Sequence, residues 1–193
     1  MTAHPDQPLT VTHRMRDPSR GAILVPVLVG SAVAVALGVY GQLHEPTGIA
    51  VNIAGFSGTR SVKTWLTTVV VLLALVQLAT ALAMRGRQPG GAAPPWAASL
   101  HRWSGRAAVL LAVPVLVQCL YALGFQADPP RVLVHSLLGC FFFGAFVAKM
   151  LLLTRRGLPG WVIPVIGGLV FSSFVGLWLT SSLWFFTTFG VTL

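Results

Sequence analysis

Five stretches of this chain, near residues 22–42, 63–84, 106–125, 132–154 and 161–186, are long, apolar and almost free of charge. About 20 residues at 1.5 Å each cross roughly 30 Å of hydrocarbon, so each stretch predicts a membrane-spanning helix. A mean hydropathy of +0.80 agrees, with 55% hydrophobic and only 9% charged residues, outside the range of ordinary soluble domains. The expected fold is therefore all-α, a polytopic bundle of five transmembrane helices. Residues 157–193 carry no charge and invite a count of two spans, but the tail after Phe186, TTFGVTL, is too short to cross again. The expected organisation is a flexible cytoplasmic tail over 1–20, one transmembrane domain over 21–187 and a short external tail over 188–193.

Basic loops stay in the cytoplasm. With the amino terminus inside, only Arg60, Lys63 and Arg131 of the thirteen Lys and Arg face outward, and the other ten lie on the cytoplasmic side. The reverse topology would invert that bias, so the carboxyl terminus is expected outside and the protein in the cell membrane as a multi-pass species. The formal charge of +9 is accounted for by this loop bias and by anionic headgroups, which argues against nucleic acid as a partner. The first span follows about twenty polar residues and precedes GVYGQLHEP with no A-x-A-like site, so it reads as an uncleaved anchor.

The segment RGRQPGGAAPPWAA after the second span is expected to form an irregular linker, and the loop over 44–62 to rest on the membrane surface. ADPP at 127–130 and RGLPG at 156–160 are tight turns that predict spans three, four and five as consecutive antiparallel neighbours. Small residues recur every fourth position at Gly30, Ala34 and Gly38, at Ser136, Cys140, Gly144 and Ala148, and at Gly168, Ser172, Gly176 and Thr180. Such rows let helix backbones approach closely. Pro114 predicts a bend in span three. Cys119 and Cys140 lack metal or redox spacing and read as packing residues.

Few residues are equipped for chemistry. None of the four acidic residues, Asp6, Asp17, Glu45 and Asp128, falls mid-membrane, which removes the usual basis of a proton pump or ion-coupled transporter. Nucleotide-binding, zinc-protease and serine-hydrolase motifs are absent. With His4 and His13 in the tail, attention falls on His44, His101 and His135. Haem held by two histidines needs both at one depth. His101 precedes the third apolar run and His135 lies about a turn below the outer surface, a separation of roughly 25 Å at 1.5 Å per residue. The one feasible pair of metal ligands is thus His135 with His44, with Gln118 beside them, and His101 stands alone at the inner level. Structural roles compete with these. His101 could anchor the third helix with Trp103 and Arg106, and His135 could hydrogen-bond Gln118 or Tyr121 across an antiparallel third span. Gln77 should bond across helices, and Lys149 should reach toward the headgroups.

The strings LGVYGQLHEPTG, HRWSGR, YALGFQ, RVLVHSLLGCFFFGAFVAK, GLPGW and GLWLTSSLWFF resemble an uncharacterised bacterial family of small integral membrane proteins, over about residues 22–187. HRWSG with a second helix-borne histidine is also loosely similar to the cytochrome b561 and ferric-reductase-like membrane cytochromes. That resemblance implies haem b held between paired histidines. The family resemblance further implies that relatives can carry histidine where this chain has Gln118, facing His135. Here the partner is an amide, which does not normally ligate iron. The functional readings are a membrane electron-transfer module using haem b or a quinone, with a membrane redox partner or a second copy of itself, and a non-catalytic membrane subunit or scaffold. A transporter would have only Gln77, Thr80 and Gln118 to line its path.

Overall fold

The computed structural model describes residues 21–49, 52–85 and 94–193. The tail over 1–20 and most of the linker after the second span lie outside these residues. The fold is all-helical: α1 Gly21–Leu43, α2 Thr59–Arg85, α3 Pro95–Leu123, α4 Pro130–Leu153 and α5 Val162–Phe189, each long and apolar enough to cross a membrane. The chain reverses between successive helices. One end of the bundle therefore gathers the end of α1, the start of α2, the end of α3, the start of α4 and the end of α5; it is called the His135 end, and the opposite one the His101 end.

Two helices are not uniform. The last turn of α3, Gln118–Leu123, and the stretch Leu179–Leu183 of α5 are π-helical, a local widening that concentrates at functional sites. α3 begins at Pro95 and α4 at Pro130, where the missing N–H costs nothing because the first-turn donors have no partner in the helix. α3 stops at Gly124, which has φ of 69°. A Cβ there would lie 3.1 Å from the Gly41 carbonyl oxygen, so only glycine permits both this conformation and the close approach of α1.

The small residues of α1 and α4 pack on each other. A Cβ added to Gly30 would sit 2.5 Å from the Gly144 carbonyl oxygen and 2.8 Å from the Ala148 Cβ, and one added to Gly144 would meet Gly30 and Ala34 in the same way. The two backbones are in direct contact, which van der Waals packing rewards where no hydrophobic driving force acts between helices. α2 and α3 are joined by polar groups instead. The Gln77 amide donates to the His101 carbonyl and to Ser104 Oγ, so it bonds across helices as its place in the sequence suggests. α2 meets α5 through Thr67 and Ser182, whose hydroxyls are 2.6 Å apart, and through the Trp178 indole N–H, which donates to Thr68 at 3.0 Å. The chain end folds back on α2, where Ser61 and the Trp65 indole both donate to the Thr192 carbonyl.

The tight turn after α3 leads one to expect α3 and α4 packed along their length, and the structure corrects this. α3 lies on α2, α4 lies between α1 and α5, and α3 and α4 hardly approach each other. A short turn brings two helix ends together but leaves open which faces meet. Here the glycine face of α4 is taken by α1 and the polar face of α3 by α2. Mid-depth, Val70, Ala112, Phe142 and Phe174 form a buried cluster across α2 to α5. On either side of it the gap between α3 and α4 opens into a cavity.

Candidate functional site

The cavity at the His135 end has a volume of about 510 Å³, within the range of small-molecule and cofactor sites. Its apolar surface comes from Leu37, Leu116, Leu120, Val132 and Phe185, and its polar surface from Gln118, His135, Ser136 and Ser181. Three cations, Arg60, Lys63 and Arg131, line it together with Trp184, and among the described residues no carboxylate does. The Arg131 guanidinium is held in place from two sides. It donates to the Thr180 carbonyl and lies 3.9 Å from the centroid of the Trp184 ring. Both π-helical stretches border this cavity, the one in α3 through Gln118 and Leu120, the one in α5 through Ser181.

His135 Nδ1 is 3.0 Å from Thr180 Oγ1. The Thr180 hydroxyl has one proton, and it donates that proton to the Gly176 carbonyl one turn back, at 2.8 Å. Its oxygen is then free to accept from the imidazole, the arrangement in which the ring proton sits on Nδ1 and Nε2 carries the lone pair. Among the described residues Nε2 makes no hydrogen bond, and no buried side-chain nitrogen or oxygen lacks a partner. Nε2 is therefore not fully buried, and His135 lines the cavity. The expected bond from His135 to Gln118 or Tyr121 is not formed, because α3 stands away from α4. Gln118 lines the same cavity and turns its amide to the Thr59 carbonyl at 3.4 Å.

His44 is seated elsewhere. Its Nε2 donates to the Tyr121 carbonyl at 3.2 Å, and its ring is stacked between Tyr40 and Tyr121 with centroids 5.0 and 4.9 Å away. It does not line the cavity that His135 faces. His101 is the seventh residue of α3, which starts at Pro95, and repeats the arrangement of His135 at the other end. Its Nδ1 is 2.9 Å from Thr80 Oγ1, and Thr80 donates to its own helix at Val76, at 2.7 Å.

Among the described residues, no three His, Cys, Asp or Glu side chains group closely enough to hold a bare metal ion. Cys119 and Cys140 are free thiols. Sequence reasoning named the two threonines and the three cations only as path, packing and loop residues, and missed their roles as histidine partners and cavity rim. A signal for Thr180 was present: positions 135 and 180 lie at nearly equal chain distance from the RGLPG turn, which is where antiparallel helices of equal rise bring residues level. Thr80 and His101 are related in the same way across the linker between α2 and α3.

No curated protein and no solved structure matches the chain. Residues 23–193, nearly the whole of it, match a family of unknown function (DUF6529), and the chain belongs to that family.

Proposed function

We propose that this membrane protein is an electron-transfer module whose His135 cavity holds a b-type haem. The observation that carries the reading is the imidazole itself: Nδ1–H is tied to Thr180, and the Nε2 lone pair faces a cavity of ligand size. A histidine that ligates metal donates its other ring N–H to a fixed acceptor in the same manner. Haem brings four nitrogens of its own, so one protein ligand suffices where a bare ion would need several. Arg60, Lys63 and Arg131 offer counter-charges to the two carboxylates of the macrocycle, and Leu37, Leu116 and Phe185 offer apolar surface to its ring. Gln118 would stand beside the haem and not on the iron. A bound haem supplies a one-electron couple; the residues described hold it, orient it and limit water.

The lack of any mid-membrane carboxylate on which ion-coupled transport could be built supports the same reading. The distribution of Lys and Arg supports an orientation with the amino terminus in the cytoplasm and the His135 cavity toward the external face of the cell membrane.

The test is a visible spectrum of the detergent-purified full chain, produced with ample haem, oxidised and then reduced with dithionite, beside His135→Ala. A Soret band with sharp α and β bands on reduction, lost in the variant, is expected. A folded preparation without haem absorbance would overturn the proposal and leave the chain as a membrane subunit or scaffold.

A further inference from the structure

The second cavity, about 500 Å³, lies at the His101 end between α2, α3, α4 and α5. The buried cluster of Val70, Ala112, Phe142 and Phe174 divides it from the first, since the residues lining the two cavities fall on opposite sides of that cluster along every shared helix. One wall is aromatic: Phe142, Phe143, Phe146, Phe171 and Phe174 all face in. The polar groups collect at one end, where His101 and Lys149 line the cavity. Thr80 takes the His101 Nδ1 proton just as Thr180 takes that of His135, so His101 also presents an Nε2 lone pair. The Lys149 ammonium makes no hydrogen bond among the described residues, and since no buried side-chain nitrogen goes unpartnered neither it nor the His101 Nε2 is fully buried; both residues line the cavity. One is a fixed acceptor and the other a charged donor.

The cavity also reaches the lipid. Leu78 and Leu82 of α2, 40% and 60% exposed, and the exposed Gly168 of α5 belong both to its lining and to the outer surface of the bundle. α2 and α5 are bonded by side chains at the His135 end, through Thr67, Thr68, Trp178 and Ser182, and at the other end Arg85 donates to the Gly160 carbonyl just before α5, at 2.9 Å; the doorway lies between these two ties, beside Leu78, Leu82 and Gly168.

We propose that this cavity binds the ring of a lipid-soluble quinone, which enters sideways between α2 and α5. A quinone ring is flat and stacks against phenylalanine. Its carbonyl oxygens accept from Lys149, the hydroxyl of its reduced form donates to the His101 Nε2, and its apolar tail leaves through the doorway into the bilayer. An anionic phospholipid would find the cationic end but would gain nothing from the aromatic wall. That such a quinone exchanges electrons with the His135 site rests on the haem reading above; its binding does not.

The experiment uses the full chain in phosphatidylcholine nanodiscs, illuminated with a photoreactive azido-naphthoquinone, and the labelled peptides are mapped by mass spectrometry. Label is expected in 142–149 and 163–174, displaced by unlabelled 2-methyl-1,4-naphthoquinone. Gly168→Leu should reduce it at least tenfold. The Cβ of this variant meets nothing within 4 Å, so the substitution adds bulk at the doorway without a clash at its Cβ. Lys149→Met should reduce it several-fold. Unchanged labelling in a folded Gly168→Leu variant overturns the proposal, as does displacement by phosphatidylglycerol and not by the quinone. Loss of haem absorbance in His101→Ala would also overturn it by giving the cavity to haem. A protein without haem that still labels at these peptides would defeat the previous proposal and leave this one standing.

Discussion

The Thr180 hydroxyl accepts the Nδ1 proton of His135 across α4 and α5 at 3.0 Å while donating its own proton to the Gly176 carbonyl. That pair of bonds selects the imidazole tautomer, and the tautomer decides what the cavity can hold. Replacing Thr180 by Val keeps the shape and removes the acceptor. Partners of ligating histidines typically change affinity by about 10 to 100-fold when removed. Haem content per protein, read from Soret absorbance at limiting haem, should fall by about tenfold or more in Thr180→Val and recover in Thr180→Ser.

Lys63 and Arg60 line the same cavity, where no carboxylate stands among the described residues. If they neutralise an anionic group of the ligand, Lys63→Gln combined with Arg60→Gln should weaken its retention without altering thermal stability. Repeating the haem titration at rising ionic strength provides the control. The native chain should lose affinity with salt and the double variant, left with Arg131 alone, should lose less, since exposed charge attraction is what salt screens.

The contact of α1 with α4 leaves no room for a methyl group. Gly30→Ala would place its Cβ 2.5 Å from the Gly144 carbonyl oxygen, an overpacking that costs about 1–3 kcal/mol. At Gly167 the same change meets nothing within 4 Å and relieves the helix of a glycine, worth about 0.5–1 kcal/mol. Thermal unfolding in detergent should show the first variant melting below the native chain and the second at or above it. Equal melting points would mean that the α1 to α4 packing is looser than described.

Gln77 joins α2 to α3 by two bonds from one amide. Interhelical side-chain bonds in membranes contribute about 0.6–2 kcal/mol. Gln77→Leu should lower stability by an amount in that range, and since Gln77 does not line the His135 cavity, it should leave haem content unchanged.

The orientation inferred from charge is open to a direct test. Ser57 is exposed at the His135 end and Thr154 at the His101 end. With Cys119 and Cys140 replaced by Ala, a membrane-impermeant thiol reagent added to intact cells should label Ser57→Cys and spare Thr154→Cys. The opposite pattern would invert the topology.

Five helices and their approximate places were legible in the sequence because the length of an apolar run is a local property, and in hydrocarbon that length is nearly sufficient to make a spanning helix. The contact of Gly30 with Gly144 was half legible: both small-residue rows were visible, but not that they faced each other. What the sequence alone could not supply is the rotation of each helix about its own axis. That rotation turned α3 toward α2 and away from α4, so His135 found Thr180 where Gln118 or Tyr121 was expected, and His44 settled between two tyrosines and outside the cavity. The same rotation opened the gap between α3 and α4 that holds both cavities. Helix length follows from residues adjacent in the chain, whereas the choice of facing surfaces is a competition among all five helices for the closest packing and the best polar partners, and only the assembled bundle resolves it.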